Sequence, residues 1–174
     1  MIEIRLHGRG GQGVKKSSMI LGRAGFLAGY YVQDFALYGA ERKGAPLTSF
    51  VRISKKPIQT RGHILHPDYI ILLDDALDLK SDLAGMKSNT QVLINTNKEF
   101  KKFKMHKVDA TNISLKCTGK AIANVAMLGA FAKISKLFTV SQIEKAVRIE
   151  LAKYPKEIID KNVKAAKEAF DNVK

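Results

Sequence analysis

The fold is decided by the stretch Ile2 to His7 followed by Gly8-Arg9-Gly10-Gly11-Gln12-Gly13. Ile2 to His7 alternates apolar and polar residues, which is typical of a β-strand. From Val14 to Leu27 the apolar residues recur at helical spacing, so the glycine-rich turn ends a strand and opens a helix. Tyr30 to Phe35 then has the composition of a second strand. This β–turn–α–β order predicts a parallel sheet.

The glycine-rich turn predicts an anion site. Amides at the start of a helix are unpaired, and the helix dipole adds partial positive charge there, so phosphate or carboxylate groups bind. Glycines let the backbone approach a ligand and adopt positive φ. Arg9, Lys15 and Lys16 add cationic charge beside the turn. The alternative is a tight turn that only packs the helix on the strand.

Two nucleotide-binding fingerprints fit this turn incompletely. An NAD or FAD site expects an acidic residue roughly 20 positions on, near Asp34. However, a loop at residues 38–46 replaces the second crossover helix, and no catalytic pair for hydride transfer is apparent. A P-loop needs lysine directly after the last glycine, where Val14 stands. Lys15 follows one residue later, which turns its side chain by about 100°. An independent NAD(P)-binding oxidoreductase is therefore kept as an alternative, and a P-loop nucleotidase is disfavoured.

The rest of the chain predicts one α/β domain over residues 1–174. Leu47 to Ile53 is rich in β-forming residues, and Tyr69 to Leu73 and Gln91 to Asn95 are apolar runs typical of buried strands. Lys104 to Val108 is a weaker strand candidate. We expect a single Rossmann-like domain, with a mostly parallel sheet flanked by helices.

The C-terminal third is predicted to be helical. The segment Ala121 to Phe131 is apolar almost all round, so this helix is expected to be buried on more than one side. Ser141-Gln142-Ile143-Glu144 matches a capping box that starts the next helix. The last helix, about Glu157 to Val173, places one apolar stripe along its length: Ile159, Val163, Ala166, Phe170 and Val173.

The cysteine content excludes two kinds of site in this chain. The only cysteine is Cys117, so an intrachain disulfide is impossible, and an iron–sulfur cluster, which needs about four thiolates, cannot be held by this chain alone. Cys117 is expected to be a thiol that fills the core rather than a nucleophile.

The histidines do not predict a metal site. His63 and His66 with Asp68 have a spacing that a metal could use, but a fourth ligand is lacking, so these residues are expected at the surface. His7, beside the turn, is a candidate ligand contact.

Charge and hydropathy suggest where the protein acts. The net charge of +14 predicts anionic partners, but the lysines are spread out. A solvated surface is therefore favoured over a nucleic-acid interface, and a basic nucleic-acid-binding module is the weaker alternative. No apolar run approaches the roughly 20 residues of a membrane helix, and Met1 to Leu6 lacks a signal-peptide core. We expect a cytoplasmic protein without membrane contact.

Four motifs, in order along the chain, resemble a known family. They are His7 to Gly13, Tyr38-Gly39-Ala40-Glu41-Arg42-Lys43-Gly44-Ala45-Pro46, Val51-Arg52-Ile53-Ser54 and Ala123-Asn124-Val125-Ala126-Met127-Leu128-Gly129-Ala130. This pattern resembles the gamma subunits of 2-oxoacid:ferredoxin oxidoreductases that act on pyruvate, 2-oxoglutarate and related acids. The resemblance spans nearly the whole chain and accounts for the loop that the NAD interpretation leaves unexplained.

The resemblance implies a role within a larger enzyme. In that family thiamine diphosphate attacks the 2-oxoacid, carbon dioxide leaves, and electrons pass through iron–sulfur clusters to ferredoxin. Coenzyme A then takes the acyl group. Thiamine diphosphate and the clusters are expected on partner subunits: alpha, beta and delta. This chain is expected to contribute to coenzyme A binding and to assembly, with no catalytic residue of its own.

The resemblance also implies site residues. The turn, comprising Gly8, Arg9, Gly10, Gly11, Gln12 and Gly13, is expected to hold an anionic group of coenzyme A. Glu41 and Arg42 are expected to order the facing loop, and Arg42 or Lys43 to supply a second phosphate contact, because the planar guanidinium suits phosphate. An internal salt bridge or subunit contact is the equal alternative for Glu41 and Arg42. Asn124 is expected to satisfy buried backbone rather than to touch ligand.

Overall fold

The computed structural model describes residues 1–37, 44–98 and 105–174. The helices and strands of these residues are β1 (Ile2–Arg9), α1 (Val14–Leu27), β2 (Tyr31–Ala36), β3 (Pro46–Ser54), β4 (Tyr69–Leu72), α2 (Leu79–Asp82), β5 (Gln91–Asn95), β6 (His106–Val108), α3 (Ala110–Thr118), α4 (Asn124–Ser135), α5 (Val140–Glu150) and α6 (Lys156–Asn172).

The strands form a six-stranded sheet in the order β2-β3-β1-β4-β5-β6. The pairs β1–β4, β4–β5 and β5–β6 are parallel, and β3 is antiparallel to both β1 and β2. The predicted α/β fold with a mostly parallel sheet is confirmed. However, β2 does not neighbour β1, because β3 is inserted between them. The connection from Ala36 to Pro46 is shorter than the dozen or so residues of a parallel crossover, so β3 returns antiparallel.

The two faces of the sheet are covered differently. Ile4 and Leu6 of β1 face the larger apolar core, which α1, α4, α5 and α6 complete. On the opposite face Ile70 and Leu72 of β4 belong to a smaller cluster that Leu83, beside the short α2, helps to cover. This division follows from the alternation of side chains along a strand, which sends neighbouring residues to opposite faces.

Helix α4 confirms the prediction of a helix buried on more than one side. It begins at Asn124, three residues later than expected, and every residue from Val125 to Ala132 is buried. Gly129 lies so close to α6 that a methyl group at this position would overlap the carbonyl oxygen of Ala166. The absence of a side chain at Gly129 therefore sets the separation of α4 and α6.

The capping box was predicted in the wrong place. Helix α5 starts at Val140, and its N-cap is Thr139, whose backbone is extended. The Thr139 hydroxyl accepts a hydrogen bond from the Gln142 amide at 3.3 Å, and Gln142 Oε1 accepts one from the Thr139 amide at 2.8 Å. Ser141 already has helical geometry, which a capping residue cannot have.

The remaining helices agree with the sequence in part. Helix α6 has the predicted stripe, in which Val163 and Ala166 are buried and the other three residues pack against the core. Helix α3 was not predicted. Its N-cap is Asp109, whose carboxylate accepts a hydrogen bond from the Asn112 amide at 3.0 Å. No described helix has the length and apolar character of a membrane span, and the cytoplasmic location stays a prediction.

The close approach of α4 and α6 makes Gly129→Ala destabilising. Alanine favours a helix over glycine by about 1 kcal/mol, but a methyl group here meets backbone that cannot rotate away. We expect a net loss of roughly 1–3 kcal/mol in the free energy of unfolding. Urea unfolding followed by circular dichroism measures it, with Lys164→Ala on the exposed side of α6 as control. An unchanged midpoint for Gly129→Ala would refute the packing argument.

Candidate functional site

The glycine-rich turn connects the end of β1 to the start of α1. Gly13 precedes the first helical residue and has a left-handed backbone with φ 78°. As a glycine it offers no side chain to cap the helix, so the first amides of α1 depend on other acceptors. The first intrahelical bond runs from the Ser17 amide to the Gly13 carbonyl at 2.8 Å.

One side of the turn is already hydrogen-bonded within the chain. The Arg9 amide donates to Gln12 Oε1 at 2.7 Å, and the Gln12 amide donates to the Arg9 carbonyl at 3.0 Å. The Gly10 amide donates to the Ala45 carbonyl at 2.8 Å, and Gly44 returns a bond to the Gly10 carbonyl at 3.0 Å. Gly8 continues the ladder of β1 with β3. The Arg9, Gly10 and Gln12 amides can therefore bind an anion only if these bonds break.

The other side of the turn is open. Within residues 1–37, 44–98 and 105–174, the amides of Gly11 and Gly13 find no hydrogen-bond acceptor. Both residues line a cavity of about 320 Å³ between the start of α1 and the start of α4. The predicted anion site is therefore reduced to these two amides and the helix start behind them. The assignment of the whole turn to a ligand stays a prediction.

Arg9 and Gln12 brace the turn against the loop after β4. The Arg9 guanidinium donates to Asp74 Oδ2 at 3.1 Å, to the Ala76 carbonyl at 2.9 Å and to the Gly44 carbonyl at 3.3 Å. Gln12 Nε2 donates to the same Asp74 oxygen at 2.9 Å. Burial works to raise the pKa of Asp74, but hydrogen bonds from Ala76, Gln12 and Arg9 outweigh it, so the pKa is lowered. Asp74 is thus a carboxylate whose charge Arg9 balances.

The second half of the predicted site is the segment that contains Glu41, Arg42 and Lys43. Glu41, Arg42 and Lys43 lie outside the described residues. Their roles in ordering a loop and contacting phosphate stay predictions. The chain re-enters the structure at Gly44 and Ala45, which both hydrogen-bond to Gly10 of the turn.

Asn124 has two functions in the structure. Its Oδ1 accepts a hydrogen bond from the Val125 amide at 2.9 Å, so the expectation that it satisfies buried backbone is confirmed. Its Nδ2 faces Gly13, where a methyl group would overlap it. Asn124 therefore also lines the cavity at the open side of the turn, which the sequence did not reveal.

His7 lies on the opposite face of the sheet from this cavity. It is 6% exposed, its Nε2 accepts a hydrogen bond from Arg5 Nε at 2.9 Å, and its Nδ1 lies 2.8 Å from Asp82 Oδ1. Burial, and then the charge of Arg5, lower the pKa of His7 to about 3. A neutral imidazole with its proton on Nδ1 fits both bonds. The expectation that His7 contacts a ligand at the turn is therefore not supported.

Asp34 cannot act as the ribose-binding acid of an NAD site. Because β3 separates β2 from β1, the two strands are about 10 Å apart. The Asp34 carboxylate lies instead against Gly22, about 13 Å along α1 from Gly13. Burial, and then Glu150, raise the pKa of Asp34. The inserted strand thus removes the geometry that the NAD interpretation needs.

The remaining candidate residues have structural contacts. His63 stacks on Phe50, and His66 lies 3.1 Å from the Gly85 carbonyl. The described part of the chain contains no group of three potential metal ligands. Cys117 is half-buried against the core, and its thiol donates to Glu168 at 3.3 Å. Burial, and then Glu168, raise the pKa of this thiol, which suits a packing role.

Comparison with known proteins gives the family. A family model described as pyruvate ferredoxin/flavodoxin oxidoreductase matches residues 3–172. The chain belongs to this family. It is 42% identical over 181 residues to the pyruvate/ketoisovalerate oxidoreductases common subunit gamma of Pyrococcus abyssi, covering 98% of this chain and 96% of that protein. The chain is therefore a gamma subunit of a pyruvate or related 2-oxoacid ferredoxin oxidoreductase.

One solved structure supports the assignment as a gamma subunit, and a more distant one shares the fold. Pyruvate oxidoreductase subunit PORC of Thermotoga maritima matches with a TM-score of 0.87 and 36% identity, over 99% of this chain and 97% of that one. A 2-oxoglutarate:ferredoxin oxidoreductase from Magnetococcus marinus matches with a TM-score of 0.80 and 19% identity, over 98% of this chain and 31% of that one. The second match shows a shared fold. The sequence-based recognition of the family is confirmed, and the independent NAD(P) oxidoreductase is not supported.

The low pKa of His7 predicts a pH-dependent stability. A histidine kept neutral in the folded state stabilises the fold fully above its unfolded pKa of about 6.5, and this contribution is lost as pH falls toward 3. Between pH 7 and pH 5 we expect a loss of about 2 kcal/mol in the free energy of unfolding. Urea titrations at both pH values measure it. His7→Asn, which keeps a donor toward Asp82 without a titrating ring, should show a smaller loss; an equal loss would exclude His7 as the cause.

Proposed function

We propose that this gamma subunit helps its complex to bind coenzyme A, at the open side of the glycine-rich turn. The observation that carries the proposal is the start of α1, where the Gly11 and Gly13 amides have no acceptor in the described part of the chain and no side chain caps the helix. Such a helix start attracts phosphate, and coenzyme A is a polyphosphorylated ligand. The related enzyme of Magnetococcus marinus is described with 2-oxoglutarate, coenzyme A and succinyl-CoA bound, which supports the choice of ligand.

The braced side of the turn has a supporting role in this proposal. Arg9 neutralises Asp74 next to the turn, so the approaching phosphate does not meet an uncompensated carboxylate. Arg9 also holds Gly44, which follows the segment containing Glu41, Arg42 and Lys43. In this proposal Glu41 and Arg42 order the loop that faces the turn, and Arg42 or Lys43 supplies a second phosphate contact; the resemblance of the motif to the family supports these roles.

The catalytic groups are proposed to lie on other chains. A cluster needs about four thiolates and this sequence has one cysteine, so we place the iron–sulfur clusters, and with them thiamine diphosphate, on alpha, beta and delta partner subunits. Within that assembly coenzyme A supplies the thiol that takes up the acyl group, and ferredoxin takes the electrons. The gamma subunit, proposed as one domain over residues 1–174, holds the anionic part of coenzyme A and contributes to assembly.

Arg9→Ala tests the coenzyme A assignment in the assembled complex. Loss of the guanidinium leaves the Asp74 charge uncompensated near the bound phosphate, a penalty on the order of 1 kcal/mol, so the KM for coenzyme A should rise several-fold. Release of carbon dioxide from labelled 2-oxoacid without coenzyme A should change little.

The matched control is Arg23→Ala, which removes the same charge from the exposed surface of α1 further along the helix. It should leave both measurements unchanged. An equal loss of both half-reactions in Arg9→Ala would indicate a general defect of the complex and would count against coenzyme A binding.

Isolation of the native complex tests the proposed partners. A tagged copy of this chain, expressed in its own cells, should co-purify with larger chains that contain iron, acid-labile sulfide and thiamine diphosphate. Metal analysis and thiochrome fluorescence of the eluate measure these groups. A tagged chain that elutes alone, or with nucleic acid that salt removes, would contradict the subunit assignment or favour the basic-module alternative.

A further inference from the structure

The two edges of the sheet differ in how they are covered. At one edge the backbone of β6 pairs with the last residue of the chain: the Lys107 amide donates to the Lys174 carbonyl at 2.9 Å, and the Lys174 amide donates to the Lys107 carbonyl at 3.1 Å. At the other edge lies β2, which pairs with β3 and with no other strand of the described ranges. The six residues of β2 include no proline or lysine, which commonly protect an edge from further pairing.

The pairing of β2 with β3 determines which of its backbone groups are available. The Leu37 amide donates to the Thr48 carbonyl at 3.0 Å, and the antiparallel pairing continues from there along β2 without a bulge. Alternate residues of an edge strand bond to its neighbour, so the odd-numbered residues of β2 bond to β3. The residues whose amides and carbonyls point away from β3 are Val32, Asp34 and Ala36. An added strand can bond to these groups.

Helix α1 lies over the same edge of the sheet. Gly22 and Gly25 both pack against Val32 of β2, and Gly25 also packs against Ile53 of β3, so the helix is centred over these two strands. Neighbouring strands are about 4.8 Å apart, so α1 lies about 5 Å from the line along which a further strand would join β2. Two copies of α1 on either side of that line would be about 10 Å apart, which is the separation of packed helices.

A groove with apolar walls runs between the outer side of α1 and β2. It has a volume of about 810 Å³, and Met19, Phe26 and Tyr31 contribute to its lining. Phe26 is 66% exposed and Tyr31 is 53% exposed. Large apolar side chains next to an unpaired strand are typical of a surface that another protein covers. We call β2, the outer side of α1 and the groove between them the β2 edge surface.

A second copy of β2, running antiparallel to the first, complements it when Gln33 lies opposite its own copy. Val32 then lies opposite Asp34 of the second copy, and their outward-pointing amides and carbonyls can bond. Tyr31 lies opposite Phe35 of the second copy, at a position where side chains approach most closely and aromatic pairs stabilise a sheet. The register that places Asp34 opposite its own copy is disfavoured, because it sets two carboxylates face to face.

Charge also favours this surface for contact between two copies of a strongly basic chain. The net charge is +14, so two copies repel each other wherever cations meet cations. The described lining of the groove contains one cation, Arg23, and two carboxylates, Asp34 and Glu150. Arg23 Nε lies 3.2 Å from Glu150 Oε1. Contact at the groove therefore brings charges of both signs together and avoids the repulsion between lysine-rich surfaces.

From this geometry we infer that the β2 edge surface binds a second copy of this chain, so that two sheets join edge to edge through β2. The two copies of α1 then pack side by side, and Phe26 of each copy enters the groove of the other. Gln33 lies on the two-fold axis. The inference concerns assembly and does not depend on the binding of coenzyme A.

Cross-linking through an introduced cysteine tests the contact and its register. Gln33→Cys, combined with Cys117→Ser to remove the native thiol, places two cysteines in a pair with a Cα separation of about 4.5 Å, which a disulfide can bridge. Oxidation of the assembled complex and of the isolated full chain with diamide should give a covalent homodimer, identified by mass spectrometry. Asp34→Cys in the same background is the control, because its two copies are more than about 7 Å apart and cannot be bridged.

Phe26→Gln supplies a second measurement that does not require a new bond. Phe26 is exposed, so its replacement should leave the fold intact and remove two apolar contacts from each dimer. We expect the dissociation constant of the dimer of the full chain, measured by sedimentation equilibrium at a salt concentration that screens the net charge, to rise about ten-fold or more. Leu65→Gln is the matched control, since Leu65 is 67% exposed and lies outside the β2 edge surface, and it should leave the dissociation constant unchanged.

Three outcomes would overturn the inference. The first is the absence of a Gln33→Cys homodimer in both the complex and the isolated chain. The second is a covalent product between Gln33→Cys and a different chain of the complex, which would show that an extended segment of another subunit occupies the edge. The third is an equal effect of Phe26→Gln and Leu65→Gln on the dissociation constant, which would place the contact elsewhere on the chain.

Discussion

The Asp74 carboxylate organises the functional end of this molecule. It follows β4 and accepts hydrogen bonds from Arg9 and Gln12, which stand in the turn after β1. The same Gln12 side chain accepts a hydrogen bond from the Arg9 amide. This network therefore fixes the turn, and the Arg9 amide on this side of it is not available to an anion. The open amides of Gly11 and Gly13 therefore face the cavity between the start of α1 and the start of α4. The place of any bound anion follows from which donors this network leaves unused.

Much of the fold could be predicted because its signals are local. The glycines after β1, the apolar runs of β4 and β5 and the apolar helix α4 each depend on a few neighbouring residues. The insertion of β3 between β1 and β2 could not be predicted. Strand order depends on the length of a connection and on pairing between distant residues. Helix α3 was missed since it buries few residues, although Asp109 before it is a usual capping residue. The misplaced capping box arose because Ser141 and Glu144 imitate the pattern that Thr139 and Gln142 form.

The candidate site, like the fold, was predictable only in its local features. The glycine spacing correctly indicated a strand that ends where a helix begins. The sequence could not predict which amides lack an acceptor. The Gly10 amide, for example, donates to the Ala45 carbonyl, which is 35 positions later in the chain. For Asn124 the sequence predicted the role of the oxygen, which is a local contact to Val125, and could not predict the position of the nitrogen. That position depends on how α4 packs beside α1.

Helix α4 connects the cavity at the open side of the glycine-rich turn to the core. Its first residue, Asn124, borders this cavity, and the residues after it are buried between the sheet and α6. A molecule bound in the cavity that Gly13 and Asn124 line would therefore lie against the packed core rather than against a peripheral loop. By mass action such a ligand favours the whole folded state, and its binding energy appears as resistance to heat and to proteolysis.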